Sequence, residues 1–269
     1  MGGDARAYET VITETADHIC TITLDRPDRF NAFSRQLTAD LGDALKAAAE
    51  DDHARVVILT GAGRAFCSGQ DLAELQEGYA RGEAPELGRI LHERYHPVIE
   101  RMCGMSQPII GAINGIAAGA GCSLALACDL RIASEEAAFM EAFINVGLAP
   151  DAGSTYFLPR LIGHAAAMEM CCTGRIVDAA EALGLGLVNR IVPPERLMEE
   201  ARSLAQALAA KSAPAIAATK RLLTQSPAAT LADQLDAEAE AQQALSTNED
   251  HLEGVMAFIE KRKPRFKGR

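Results

Sequence analysis

The chain is predicted to fold as an α/β protein, with a wound core over residues 1–195 and a helical C-terminal region over residues 196–269. Three observations carry this reading. Strand-like and helix-like segments alternate as far as Ala133, the rhythm of α/β winding. Arg55 to Thr60 (RVVILT) and Pro108 to Ile113 (PIIGAI) are continuous apolar runs of the kind buried on both faces of a parallel sheet. From Ser154 onward the pattern is helical almost without interruption, rich in Ala, Leu, Gln and Glu over Glu200 to Ala210 and Leu231 to Leu245.

The elements follow in order. Thr10 to Leu24 alternates as two short strands before a turn at Asp25 to Asp28, which opens the fold on a hairpin. Ser34 caps a helix whose apolar stripe is Leu37, Leu41, Ala44, Leu45 and Ala48. After the Arg55 strand comes a helical stretch through Glu86 to Met105, then the Pro108 strand. A Gly/Ala-rich turn leads into Ser123 to Ala127, and a strand follows at Leu130 to Ala133. Pro193, Pro194, Pro214 and Pro227 mark boundaries in the helical region.

Hydrophobic residues at 48% and charged residues at 23% are globular averages, which exclude a disordered or collagenous chain. A net charge of -11 repels phosphate polymers, so nucleic acid is not an expected partner. The seven cysteines show no CxxC and an odd total, the usage of buried thiols in a reducing compartment. Asp4, Glu9 and Glu14 argue against a transit peptide, and Arg6 stands where myristoylation of Gly2 would need Ser or Thr. The longest apolar stretch, Pro108 to Ala127, is interrupted by Gly111, Asn114, Gly115, Gly119, Gly121 and Ser123, so no membrane span is expected. These features together imply a cytoplasmic protein.

Several motifs carry little. His92 to His96 fits HExxH, but Pro97 is expected to bias His96 away from the α conformation that a zinc pair requires, and the next histidine is His164. Gly61-Ala62-Gly63 follows a strand, yet Phe66 replaces the third glycine of a dinucleotide fingerprint. Ser68 lacks the preceding glycine of a nucleophile elbow. The basic ending KRKPRFKGR reads as a solvated terminal helix. Two stretches are more informative: GRAFCSGQDL (Gly63 to Leu72) and NGIAAGAGCSLALACD (Asn114 to Asp129). Each sets small residues at a strand-to-helix junction, where main-chain N–H groups face outward and a ligand can come close, although close helix packing would use the same residues.

Together with LDRPDRFNAFS (Leu24 to Ser34), VGLAPDAGSTYFLPRLIG (Val146 to Gly163) and EGVMAFIEKRKPRF (Glu253 to Phe266), these stretches resemble the crotonase family of enoyl-CoA hydratases and isomerases, in the family's order and over nearly the whole chain. The resemblance implies a spiral core of ββα units followed by a C-terminal α-helical trimerisation region, assembled as homotrimers or hexamers. It implies an acyl-CoA thioester substrate, with coenzyme A as part of that substrate and no metal or other cofactor.

Carried over position by position, the resemblance places two main-chain donors for the thioester oxygen on Gln70 and Ala120. Gly69, Gly119 and Gly121 would allow close approach, and Ala65, Ser68, Asp71, Leu72 and Phe143 would line the substrate. Lys261, with Arg262, would suit CoA phosphates in a neighbouring subunit, and the loop from Ala73 to Leu87 would line the acyl pocket. The two glutamates of hydratases fall on Ser123 and Phe143, so both carboxylates are missing. Asp151 instead matches the acid/base position of several isomerases; the plainer alternative is an N-cap for a helix starting near Ala152. Apolar Phe143, Leu148 and Phe157 would raise the Asp151 pKa by desolvation. Glu141, two residues before Phe143, would share its face on a strand and is the rival carboxylate. Within the family, SGQDL, Phe143 and GLAPDAG look most like a ring-opening epoxide isomerase. The expected activity is therefore acyl-CoA isomerisation through a thioester enolate. The alternatives are an enoyl-CoA hydratase and, against the acidic balance, a noncatalytic RNA-binding homologue.

Overall fold

A computed structural model describes residues 8–82 and 84–268. The readings made on Gly2, Asp4 and Arg6 lie outside them. The chain opens with β1 (Val11–Ala16) and β2 (Ile19–Leu24), an antiparallel hairpin turned by Asp17 and His18, both in the left-handed region that a two-residue turn demands. The Ser34 hydroxyl accepts from Leu37 N and starts α1 (Arg35–Glu50), whose buried face is Leu37, Leu41, Ala44, Leu45 and Ala48 together with Thr38 and Asp40.

Three ββα turns follow. The first is β3 (Val56–Gly61), β4 (Ala65–Cys67) and the helices α2 (Ala73–Ala80), α3 (Leu87–Ile90) and α4 (His96–Gly104). The second is β5 (Ile109–Ile113), β6 (Ile116–Ala118) and α5 (Ala120–Leu126). The third is β7 (Leu130–Ser134), β8 (Ala138–Met140), α6 (Ser154–Ile162) and α7 (His164–Thr173). In each turn the first strand joins a six-stranded sheet and the second a four-stranded sheet. The larger sheet is ordered β1-β2-β3-β5-β7 and closed by β10 (Arg190–Val192); the smaller is β4-β6-β8, closed by β9 (Ile176–Asp178). Helix α8 (Ala179–Leu185) joins these last two strands. This is the spiral of ββα units.

Two expectations are corrected here. The stretch after Ser154 is not uninterrupted helix, because β9 pairs with β8 and β10 with β7. Each of these strands is three residues long, too short for a period of two to register in the sequence. The second correction concerns Pro97. His96 does adopt the α conformation (φ -55°, ψ -45°), because a π-turn over Leu91–Tyr95 precedes it and loosens the turn against which a proline ring would otherwise clash. The His92 and His96 rings then meet edge to face at 4.8 Å. No group of three or more His, Cys, Asp or Glu with the placement to hold a metal occurs among the described residues, and none of their helices is long and apolar enough to cross a membrane.

The central strands of the larger sheet, β2, β3, β5 and β7, are covered on both faces. On one side Ile22, Val57, Leu59, Ile109 and Ile113 pack with α1 and the smaller sheet. On the other side Ile19, Val56, Ile58, Ile110 and Ile132 are covered by Leu197, Ala201, Ala205 and Ala209 of α9 (Leu197–Ala209). The chain then continues through α10 (Ala213–Gln225), α11 (Leu231–Ser246) and α12 (Glu249–Ile259). Helix α10 is pinned by Lys220, whose buried ammonium donates to the Met102 and Gln107 carbonyls (2.8 and 3.1 Å) and pairs with Asp129 at 2.8 Å. Asp129 also accepts from Ile109 N. Lys220→Ala leaves those acceptors short of a donor and is expected to cost about 2 to 4 kcal/mol, less than a fully buried pair because Asp129 keeps water contact and its main-chain bond. Urea unfolding at fixed protein concentration measures this, and an unchanged midpoint would refute the pinning role.

Candidate active site

The turn between β2 and α1 holds the loop after β4 in place. Asn31 donates to the Ala65 carbonyl at 2.8 Å and Ser68 N donates to the Phe30 carbonyl at 3.0 Å. Phe33 N donates to Gly69 O at 2.7 Å and Asp71 N to Phe33 O at 2.9 Å, while Arg26 pairs with Asp71 at 2.9 Å. The Ser68-Gly69-Gln70 main chain is thereby fixed from the side opposite α5.

Gly69 brings the two junctions together. Its φ is +92°, and a Cβ built on it would lie 2.7 Å from the Ala118 carbonyl oxygen and 3.4 Å from Ala120 N. Only glycine accommodates both the backbone angle and that contact. Ala120 is the first residue of α5, so its N–H has no acceptor within the helix and stands beside the Gly69–Gln70 segment. Gly119, at φ +52°, turns the chain into that helix. Gly121 packs α5 onto β4, since a Cβ there would sit 2.1 Å from the Cys67 carbonyl oxygen.

These junctions form the floor of a cavity of about 1000 Å³. Leu72, Ala73, Ala80, Leu87, Ile90 and Leu91 make one apolar wall; Phe143, Val146 and Leu148 make the other. Tyr95 and Asp151 supply polar groups near the floor. Of the sequence-predicted residues, Ser68, Gly69, Gln70, Leu72, Gly119, Ala120, Phe143 and Asp151 lie together on this lining. Ala65 is buried within β4, Asp71 is turned to Arg26, and Gly121 is turned to Cys67; none of the three is on the lining. Lys261 sits in the turn after α12 with φ +54°, also away from it.

Asp151 is half-buried, and its Oδ1 has no hydrogen-bond partner among the described residues. Burial pushes its pKa up to about 6. It is not a helix cap: Gly153 occupies that position, and α6 starts at Ser154. The adjoining Ala152 holds φ +47°, a left-handed conformation uncommon for alanine, at the corner that presents Asp151 to the cavity.

Glu141 does not share a face with Phe143. β8 ends at Met140 and a 3₁₀ turn over Ala142–Val146 follows, so the period of two fails; Phe143 reaches the cavity while Glu141 is fully buried behind it. Ser154 Oγ lies 2.8 Å from Glu141 Oε1, and burial pushes the glutamate pKa up to about 7. Ser123 donates to the Asp151 main-chain carbonyl at 3.0 Å.

Tyr95 was not foreseen from the sequence. Its ring packs edge to face on Phe33 at 5.3 Å, and its hydroxyl donates to Gln70 Oε1, fixing that side chain beside the floor. The π-turn aims it there, and such turns recur at functional sites. In the sequence its only signal is a tyrosine inside the HExxH-like stretch.

An apolar cavity whose floor joins two main-chain junctions to one partnerless carboxyl group suits proton transfer on an apolar substrate bearing a carbonyl. The Enoyl-CoA hydratase/isomerase family profile matches residues 14–269, and the chain belongs to that family. It is 38% identical over 261 residues to the 1,2-epoxyphenylacetyl-CoA isomerase of Escherichia coli (strain K12), covering 97% of this chain and 99% of that protein. A probable enoyl-CoA hydratase of Rhodobacter capsulatus is 41% identical over 263 residues, covering 98% of this chain and all (100%) of the relative. Among solved structures, a putative enoyl-CoA hydratase/isomerase from Mycobacterium abscessus superposes with a TM-score of 0.92 at 40% identity, covering 96% of this chain and 100% of that one. The fold is the crotonase fold, as its spiral and these likenesses agree.

Proposed function

We propose that this enzyme is an acyl-CoA isomerase. The observation that carries the reading is that Asp151 is the one carboxylate among the described residues lining the cavity. The thioester oxygen accepts from the N–H groups of Gln70 and Ala120, which stabilise the negative charge that develops when the α-carbon loses a proton. Asp151, poised near neutral pH, takes a proton from one carbon and returns it to another. Double-bond migration and epoxide ring expansion both need only this single group. Hydration also requires a water activated by a base while another group delivers the proton, and the two positions where hydratases carry glutamates hold Ser123, buried, and Phe143. The apolar walls suit an acyl chain or ring, and the similarity to 1,2-epoxyphenylacetyl-CoA isomerase supports a ring-epoxide thioester. No further cofactor enters this scheme.

The same reading extends to assembly. Leu223, Leu231, Leu235, Leu252, Phe258 and Ile259 are exposed on α10 to α12, and we assign this apolar surface to a homotrimer or hexamer. Lys261 is then the cation offered to a neighbour's CoA phosphates, because Arg262 already pairs with Glu253 and Glu260, each at 2.6 Å.

The test compares two reactions of the purified protein. Isomerisation of a 3-enoyl-CoA or ring-epoxide thioester is expected to exceed hydration of crotonyl-CoA by about 10²-fold or more, the scale of one missing acid/base group. Rapid hydration that survives Asp151→Asn and disappears in Glu141→Gln would overturn the isomerase reading in favour of a hydratase.

A further inference from the structure

Glu141 is the most completely buried carboxyl group near the site, and the reaction above does not use it. Three short contacts link it to Asp151. Glu141 Oε1 lies 2.8 Å from Ser154 Oγ, Ser154 Oγ lies 2.8 Å from Ser123 Oγ, and Ser123 Oγ lies 3.0 Å from the main-chain oxygen of Asp151. The two serines own two protons for these three links. If Glu141 is ionised, one link has no proton. If Glu141 is protonated, every link is made: its O–H donates to Ser154, Ser154 donates to Ser123, and Ser123 donates to the Asp151 carbonyl.

We propose that Glu141 is a positioning residue, held as a neutral carboxylic acid, whose proton completes a hydrogen-bond chain through Ser154 and Ser123 that fixes the main chain of Asp151. The inference rests on the reading of Asp151 as the proton carrier. Three further observations agree with it. Glu141 has no exposed surface and its Oε2 has no hydrogen-bond partner among the described residues; Ser154 and the weakly donating Cys122 thiol favour the anion, but the cost of burial outweighs them and the neutral acid is preferred. Ala152, next to Asp151, sits in a left-handed conformation that needs such anchoring. The pKa of Glu141, near 7, keeps the acid form populated up to neutrality.

The titratable groups facing Glu141 are Cys122 of α5, Cys171 of α7 and Asp151. Burial raises both thiols, Cys171 to about 11, so near neutral pH the charge beside Glu141 changes only at Asp151. As pH rises through about 7, Glu141 ionises, Ser154 turns its proton to the carboxylate, Ser123 turns to Ser154, and the Asp151 carbonyl loses its donor. The wild-type kcat is therefore expected to rise as Asp151 deprotonates near 6 and to fall above 7.

Glu141→Gln supplies an N–H toward Ser154 that cannot ionise. It is expected to retain kcat at the acidic side of the optimum and to lose the alkaline fall, with KM unchanged. Ser154→Ala keeps the carboxyl group but cuts the chain, and is expected to lower kcat roughly 3- to 10-fold, the worth of one hydrogen bond, again with KM unchanged. An alkaline limb identical in wild type and Glu141→Gln, or a Ser154→Ala variant with full kcat, overturns the proposal. A readout independent of the substrate separates its failure from failure of the isomerase reading: infrared titration in an Asp151→Asn background. The carbonyl stretch of a protonated carboxylic acid should be present at acidic pH, fade at a midpoint above the ordinary glutamate range but below the wild-type one, because the Asp151 charge that helps raise Glu141 is gone, and be absent from Asp151→Asn/Glu141→Gln. No such difference between the two proteins would mean that Glu141 is ionised and the chain incomplete.

Discussion

Asp151→Asn is expected to lower kcat for isomerisation by about 10²- to 10⁴-fold, the range for losing a positioned acid/base group, while binding of a CoA thioester is retained. The amide keeps the shape of the side chain and removes its basicity. In the wild type the basic form accumulates as pH rises through about 6, so activity at the acidic limb should follow that midpoint, and the variant should show no such limb. Stability moves in the opposite direction. The Asp151 pKa is raised from 3.8 to about 6 by burial, so between those values the folded state holds a proton that the unfolded chain has released. Stability therefore declines as pH rises through that window, and the loss is complete above 6. Asp151→Asn removes it and should melt higher than the wild type above pH 6, by roughly 1 to 3 kcal/mol at about 1.4 kcal/mol per pH unit, with no advantage below 3.8. Thermal melts across this range, set beside single-turnover assays, check both halves. Near-normal turnover by a folded Asp151→Asn protein would remove Asp151 from the reaction.

Gly69→Ala is expected to lower kcat by about 10²- to 10³-fold, the cost of losing a main-chain oxyanion donor. The new Cβ would lie 2.7 Å from the Ala118 carbonyl oxygen, which is backbone and cannot rotate aside, so the loop after β4 and the start of α5 must separate. The N–H groups of Gln70 and Ala120, proposed above as the oxyanion donors, then no longer converge. The left-handed φ of +92° adds strain of about 1 to 2 kcal/mol. Gly163→Ala separates the two effects, since Gly163 has φ +79° with nothing within 4 Å of its added Cβ. It should lose only the stability that the backbone angle costs, less than Gly69→Ala loses, and keep its turnover. Equal kcat values in Gly69→Ala and the wild type would place the oxyanion donors elsewhere.

Much of the larger sheet was legible in the sequence because its strands have a distinctive physical requirement. RVVILT and PIIGAI are apolar at successive positions since β3 and β5 are covered on both faces, one by α1 and the smaller sheet, the other by α9. Ser34 was legible as a cap because its hydroxyl satisfies an N–H of the first helical turn. The smaller sheet was not legible. β4, β6, β8 and β9 are three residues each, and such segments become strands only when successive turns of the spiral stack them side by side.

The site divides along the same line. The sequence by itself determined the family resemblance, the glycine-rich junctions and the candidate carboxylate Asp151, because those features require particular residue types at particular positions. Only the tertiary structure decided what surrounds them. It placed Tyr95 on the floor through a π-turn, assigned Asp71 to Arg26, and sent Glu141 and Phe143 to different environments where strand periodicity would have paired them. The reason is that burial and hydrogen-bond partnership arise from contacts between distant segments. The Asp151 pKa is raised to about 6 because segments from three ββα turns bury it without giving Oδ1 a partner, and no local pattern in the chain encodes that combination.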